Sequence, residues 1–286
     1  MTPEQRASWL AATQIEPGVY PGLPTDQYFA VPAIGKADLD LIARSPRHYW
    51  HARLRAGAEP RQPTDDMILG SALHCAVLEP LEFDRRYTVA PKCDRRTKVG
   101  KEEWAAFQAA NAQRELLDAE GMEAVTGMRE SILAHRAASY FLNGAECETY
   151  VFWTDPDHGC LMRARHDAWG QDVLVDIKTT GDASAEAFQR VAYNMRYHVS
   201  AALYLDGVKV ATGHELVAYL WIVVERDAPH AVAVYVADAA QIALGRSLYR
   251  RDLHRLITCR AANEWPGLPD TLSPLGLPRW ARPDLT

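Results

Sequence analysis

Asp176 and Lys178 flank Ile177 in the run Val173-Leu-Val-Asp-Ile-Lys-Thr-Thr180, and Asp167 closes the preceding run Arg163-Ala-Arg-His-Asp167. Side chains of a strand alternate faces. Asp176 and Lys178 therefore share a face, while Val173, Val175 and Ile177 turn to a core. Gly170-Gln-Asp172 is turn chemistry, so Asp167 returns beside Asp176 as a hairpin partner. Two carboxylates and an ammonium then meet on one patch. That set suits a divalent cation held by oxygen ligands, with a lysine to stabilise a nucleophile or developing negative charge. An Asp-x-Lys pair on a strand is more often a solvated surface ion pair. Here it interrupts a strongly apolar run, where an unpaired charge is expensive, and this favours the functional reading.

Other elements must position these groups. Asp65 or Asp66 caps a helix running from Met67 to Glu79 and ended by Pro80. It is apolar nearly all round, as a buried helix would be. His74 lies in its middle, and is either a core histidine satisfied by hydrogen bonds or a metal ligand. Residues 1–33, rich in Pro, Gly and polar residues, read as an extended arm, followed by a short helix from Lys36 to Arg44 stopped by Ser45-Pro46. Between Ala90 and Lys101 five cations lie on a Pro/Gly-punctuated segment: a solvated loop, or a clamp for phosphates. A helical stretch over 101–139 follows, with Gly121 and Gly127 as breaks. Strands are expected at 148–153, 160–169 and 173–178, helices from Asp182 or Ser184 and from Tyr197 to Val208, strands at 216–225 and 231–237, and a helix over 238–262. This order predicts an α/β (α+β) fold, a central mixed sheet with helices on its faces in one domain. The expected divisions are an arm with a short helix (1–64), a core (65–262) and a Pro-rich tail packing on it (263–286).

Composition narrows the class. The chain has 286 residues, 48% of them hydrophobic and 24% charged, enough for a packed core. No apolar stretch is long enough to span a membrane, and Met1-Thr-Pro-Glu-Gln-Arg lacks the apolar segment of a secretory signal. Five cysteines with no C-x-x-C spacing point to reduced thiols, against a disulfide framework or an iron–sulfur cluster. The formal net charge of −6 does not advertise nucleic-acid binding, although a local basic surface could still provide it.

Together these segments resemble the PD-(D/E)xK nuclease superfamily, and within it the RecE-type (exonuclease VIII) exonucleases of phages and prophages. The matching pieces are Ile42-Ala-Arg-Ser-Pro46, His48-Tyr49, Gly70-Ser-Ala-Leu-His74 through Pro80, Ala90-Pro-Lys-Cys-Asp-Arg-Arg-Thr97, Glu148–Trp153, Arg165-His-Asp167, Val175–Thr180, Arg196-Tyr-His-Val199, Tyr204-Leu-Asp-Gly207 and Leu277-Pro-Arg-Trp280. Each is weak alone; their joint order covers most of the chain.

The resemblance implies a restriction-endonuclease-like core. It implies that Asp167, Asp176, His74 and the carbonyl of Ile177 bind Mg²⁺, with Mn²⁺ as a substitute, and that Lys178 orients or deprotonates the attacking water. Glu148 matches the family's acidic position on the first strand, with Glu146 two residues away on the same face. Lys92, Arg95, Arg96, Lys98, Arg165 and Tyr204 would contact DNA. It further implies hydrolysis of linear double-stranded DNA ends, 5′ to 3′, by a ring-like homo-oligomer, a tetramer, in the bacterial cytosol, with a RecT-like single-strand annealing partner. Ser200 departs from the family's usual Gln, which pairs with a tyrosine four residues on, here Tyr204. The rival readings are a DNA-binding or assembly module without activity, and an endonuclease on the same scaffold.

Overall fold

The computed structural model describes residues 15–57, 62–170 and 172–276. In chain order, β1 (Gly18–Pro21), α1 (Thr25–Ala30), α2 (Lys36–Arg44) and α3 (Pro46–Tyr49) precede one π-helical turn, Trp50–Leu54. Next come α4 (Asp65–Leu78), α5 (Pro80–Arg86), β2 (Tyr87–Val89), α6 (Lys98–Ala110), β3 (Glu115–Leu117), α7 (Ala119–Ala134) and α8 (Arg136–Leu142). The meander β4 (Glu146–Thr154), β5 (Leu161–Gly170) and β6 (Val173–Thr180) follows, then α9 (Ala185–Asn194), α10 (Tyr197–Thr212), β7 (Ala218–Glu225), β8 (Val232–Val236) and α11 (Ala239–Ala262).

Six strands form one mixed sheet in the order β1-β4-β5-β6-β7-β8, while β2 and β3 pair separately. Only β6 and β7 run parallel within the large sheet, and α9 and α10 make the crossover between them. These two strands are apolar on both faces because both faces are covered. Leu174, Tyr219, Trp221 and Val223 join a core with Leu39 and Ile42 of α2, Val199 and Leu203 of α10, and Leu253 and Leu256 of α11. Val173, Val175, Ile177, Leu220 and Ile222 join a second core with Leu73 and Ala76 of α4 and Val125, Met128 and Ile132 of α7. The expected sheet with helices on both sides is the fold observed. Among the described residues no helix is long and apolar enough to cross a membrane.

Several local expectations differ from the structure. In its described part, the segment read as an arm holds β1, which pairs with β4, and α1, whose Tyr28 packs on Tyr150 and Phe152. A four-residue strand is too short to show alternation. Thr64, not Asp65 or Asp66, caps α4, its hydroxyl accepting from the Met67 amide. Pro80 ends α4 but also opens α5, where a missing N–H costs nothing. The helix read over 101–139 is broken at 111–118, not at its glycines. Asn111 closes α6, and the Asp118 carboxylate caps α7 by accepting from the Gly121 amide at 2.7 Å. Gly127 lies inside α7, where a Cβ would come within 2.5 Å of the His230 ring. The run Leu277–Trp280 lies outside the described residues.

Helices α10 and α11 pack closely at Gly245, where a Cβ would lie 2.0 Å from the His198 carbonyl oxygen. Backbone cannot move aside as a side-chain tip can, so Gly245→Ala must push the helices apart. It is expected to lower the unfolding free energy by about 1–3 kcal/mol, read from the urea denaturation midpoint.

Candidate active site

The ladder between β5 and β6 runs from Gly170↔Val173 to Ala168↔Val175 and ends there. Asp167 and Asp176 are next in register, but the strands part at this point. The Asp167 carboxylate fills the gap: its Oδ2 accepts from the Ile177 amide at 2.8 Å. On β4, Val151 and Trp153 face one core while Cys147 packs on the other. On β5, Met162 and Ala164 face the first and Ala168 the second. Both strands thus change face around Glu148 and Asp167. Glu148 makes the change with φ +50°, a left-handed backbone that a non-glycine residue adopts at a cost of about 1–3 kcal/mol.

Helix α4 brings His74 into this opening. Its Nε2 lies 2.8 Å from the Ile177 carbonyl oxygen and its Nδ1 3.3 Å from Asp167 Oδ2. Burial pulls the imidazole pKa down, but the Asp167 carboxylate outweighs it and raises the pKa above the ordinary histidine value. Burial likewise pushes Asp167 up, and His74 with Lys178 more than reverses this, holding Asp167 well below the usual carboxylate range. Asp176 goes the other way. Burial, aided by Asp167, lifts its carboxyl to about 6 even though Lys178 Nζ donates to Oδ1. Two adjoining acids in a poorly hydrated place do not both ionise easily. Lys178 also approaches the Ile177 carbonyl at 3.4 Å and stands 5.1 Å from the Tyr197 ring centroid. Burial lowers its pKa, Asp176 and Asp167 raise it further, and it remains an ammonium.

Glu148 completes the group. Its Oε2 lies 3.2 Å from Arg165 Nε. Burial lifts its pKa to about 7 against the lowering by Arg165. Ligand atoms of His74, Glu148 and Asp167 lie within 4.8 Å of one another. An imidazole and carboxylates backed by the Ile177 carbonyl are a donor set for a divalent cation. The residues fit such an ion: Asp167 and Asp176 are two buried carboxylates in the same opening as the His74 imidazole. Asp176 stands beside the compact trio, joined to it through Asp167 and held by Lys178.

Two clefts meet at these residues. One, of ≈ 490 Å³, is lined by Met67, Gly70, Arg86 and Glu148; the other, of ≈ 610 Å³, by Lys36, Arg53, Arg163, Asp167 and Asp176. His74, Arg165, Lys178 and Tyr197 line both. Tyr204 and Ser200 border the second cleft, and Tyr204 meets the buried His166 ring edge-on at 5.1 Å. The expected site residues His74, Glu148, Asp167, Asp176, Ile177, Lys178, Arg165 and Tyr204 therefore gather in one place. Lys92, Arg95, Arg96 and Lys98 line neither cleft. Arg95 lies 4.6 Å from the Trp104 ring centroid, Arg96 pairs with Asp94 at 3.5 Å and Lys98 with Glu102 at 3.9 Å. Glu146 is exposed and outside both clefts, because the face changes between it and Glu148. Sequence reasoning missed Lys36, Arg53, Arg86 and Arg163. Only Arg163 carried a signal, its alternation with Arg165 and Asp167 on one strand.

An acidic hairpin opened beside an Asp-x-Lys strand, with a buried helix feeding the gap, defines the PD-(D/E)xK nuclease superfamily. The chain belongs to the family described as a PDDEXK-like domain of unknown function (DUF3799), whose model matches residues 38–271. No curated protein matches. Among solved structures, a Eubacterium rectale protein provisionally named an exonuclease is similar with TM-score 0.58 and 11% identity, covering 92% of this chain and 99% of its own. At that identity the likeness concerns the fold alone. The protein SSO0001, at TM-score 0.27, 14% identity and coverage of 67% of this chain and 88% of its own, is too distant in shape to bear on it.

Two outcomes follow from the charges. The Glu148 pKa is raised on folding, so without metal the folded state holds a proton that the unfolded chain releases near 4.5. The contribution of Glu148 to stability should fall as pH rises from about 4.5 to about 7, by at most roughly 3 kcal/mol. Urea midpoints across this range should show the slope flattened in Glu148→Gln. His74→Ala takes the imidazole out of this donor set and is expected to weaken Mn²⁺ binding at least tenfold in calorimetric titration.

Proposed function

We propose that the chain is a divalent-metal-dependent exodeoxyribonuclease acting on the ends of linear double-stranded DNA. The observation that carries this reading is the convergence of His74, Asp167, Glu148 and the Ile177 carbonyl beside the Asp176–Lys178 pair, where two clefts meet. Asp167, His74, Glu148, Asp176 and the Ile177 carbonyl would hold the ion, with Mg²⁺ the expected metal and Mn²⁺ its substitute. When bound, it would lower the pKa of water and neutralise charge on the phosphate.

The remaining work falls to the chain. Lys178 is an ammonium fixed by Asp176, so it orients the attacking water and stabilises developing negative charge; it has no free pair with which to take a proton. Asp167, anchored to the Ile177 amide, keeps its position while the neighbouring acid changes protonation. Arg165, Arg163, Arg53 and Lys36 stand where they can hold phosphates along the second cleft, and Arg86 does so in the first.

The finer reading rests on the RecE-type resemblance alone; the name given to the Eubacterium rectale protein supports only the exonuclease class. It comprises 5′ to 3′ digestion, a ring-like tetramer, a RecT-like annealing partner in recombination, and a bacterial cytosolic setting with the protein encoded by a phage or prophage.

Incubation of linear and closed circular duplex with Mg²⁺ tests the activity. Loss of the linear form alone is expected. Nicked circles would make the protein an endonuclease, and no loss of either would make it a binding module. Lys178→Ala should lower linear-duplex hydrolysis by about 10²-fold or more while DNA affinity in a gel-shift assay stays within a factor of about 2. Strong residual Mg²⁺-dependent degradation by that variant would remove Lys178 from the chemistry.

A further inference from the structure

Outside the acidic cluster, two imidazoles join the turn between β4 and β5 to α11. His158 Nε2 and His254 Nδ1 are 3.4 Å apart, with the ring planes at 52°. The other nitrogen of His158, Nδ1, lies 2.9 Å from Asp155 Oδ1. Asp155 is buried and fixed from several sides. Its Oδ1 accepts the amides of Asp157 at 3.2 Å and His158 at 3.0 Å, and Arg250 donates to its Oδ2 at 2.5 Å. A carboxylate at Nδ1 keeps the proton on that nitrogen and leaves Nε2 with a lone pair facing His254.

The spacing has a chemical meaning. Zinc–nitrogen bonds are about 2.0–2.1 Å, so two imidazole nitrogens on one tetrahedral ion stand about 3.3 Å apart. The observed separation matches that edge and is long for a direct hydrogen bond between two rings. The carboxylate–imidazole pairing is the outer arrangement that metal-bound histidines use to fix their tautomer.

We propose that His158 and His254 form a second metal site, for Zn²⁺, with water completing the shell and Asp155 orienting His158. Imidazoles select borderline ions such as Zn²⁺, Ni²⁺ and Cu²⁺, whereas the carboxylate-rich cluster at Asp167 suits Mg²⁺ and Mn²⁺. The two sites differ in class, and this one does not depend on the nuclease reading. An ion here clamps the β4–β5 turn onto α11, two elements far apart in sequence.

Calorimetric titration of Zn²⁺ into the full chain carrying His74→Ala, in excess Mg²⁺, removes the competing imidazole and occupies the acids. One Zn²⁺ per chain at micromolar affinity is expected. His254→Gln, at an exposed position, should weaken it at least tenfold and abolish the Zn²⁺-dependent rise in thermal midpoint. Asp155→Asn, with an unchanged circular-dichroism spectrum, should weaken binding about 10–100-fold. No stoichiometric uptake in the His74→Ala parent, or unchanged affinity in His254→Gln, would overturn the site and leave the nuclease reading standing.

Discussion

The bond from the Ile177 amide to the Asp167 carboxylate is the constraint on which the site depends. In an ordinary antiparallel ladder that amide would bond to backbone across the strand. Here a side chain takes it, so β5 and β6 can separate without leaving a buried donor unpaired. The separation turns the Ile177 carbonyl toward α4 and gives His74 a place to reach. It also sets Asp167 and Asp176 facing each other outside the ladder. Glu148 supports the same opening from β4, where its positive φ lets the strand exchange faces opposite Asp167. The fold beyond holds this opening rigid. Parallel β6 and β7, packed on both faces, give the Asp-x-Lys segment a frame that does not relax when the neighbouring pairing ends.

Burial and pairing compete within the cluster, and the outcome differs at each group. Asp167 stays ionised because His74 and Lys178 outweigh its desolvation. Asp176 and Glu148 are each beside a cation, yet burial still raises both. His74 reaches both Asp167 and the Ile177 carbonyl, two of the groups that would engage a cation. A proton on the imidazole and a divalent ion are therefore alternative ways to compensate the same negative charge. With neither, the cluster carries more uncompensated charge than a core arranged for stability alone would.

Much of this was legible in the sequence because it follows from period and chemistry. Alternation over Val173–Thr180 placed Asp176 and Lys178 on one face, and the turn at Gly170 returned Asp167 to them. The residues of α4 announced a buried helix with one histidine, but periodicity could not separate a core histidine from a ligand. What brings His74 to the acidic group is the parting of β5 from β6, a tertiary event with no local signature. The face change at Glu148 was hidden for the same reason. Simple alternation puts Glu146 and Glu148 together, and a single positive φ separates them. The basic residues were read by density. The crowded cations after Ala90 drew attention, while Lys36, Arg53 and Arg163 stand in three different elements and converge only in the fold.

Those three show why position matters more than net charge. Lys36 Nζ lies 2.6 Å from Asp40, Arg53 Nε 2.7 Å from Asp38, and Arg163 donates to the carbonyls of Tyr28 and Val31 at 2.8 and 3.1 Å. Each is held in a set geometry at the cleft wall. A phosphate arriving there meets groups whose side-chain freedom is already reduced, so less ordering accompanies binding. A cation of the Ala90–Lys101 segment such as Arg96, almost fully exposed at 95%, would lose most of its freedom on contact. Ser200 belongs to the same balance. It lines the second cleft with Tyr204, Lys36 and Lys178, and as a serine it reaches less far than a longer polar side chain would. In a chain of net charge −6, attraction for a polyanion would, on the proposed reading, come from these few pre-set cations beside a small acidic centre.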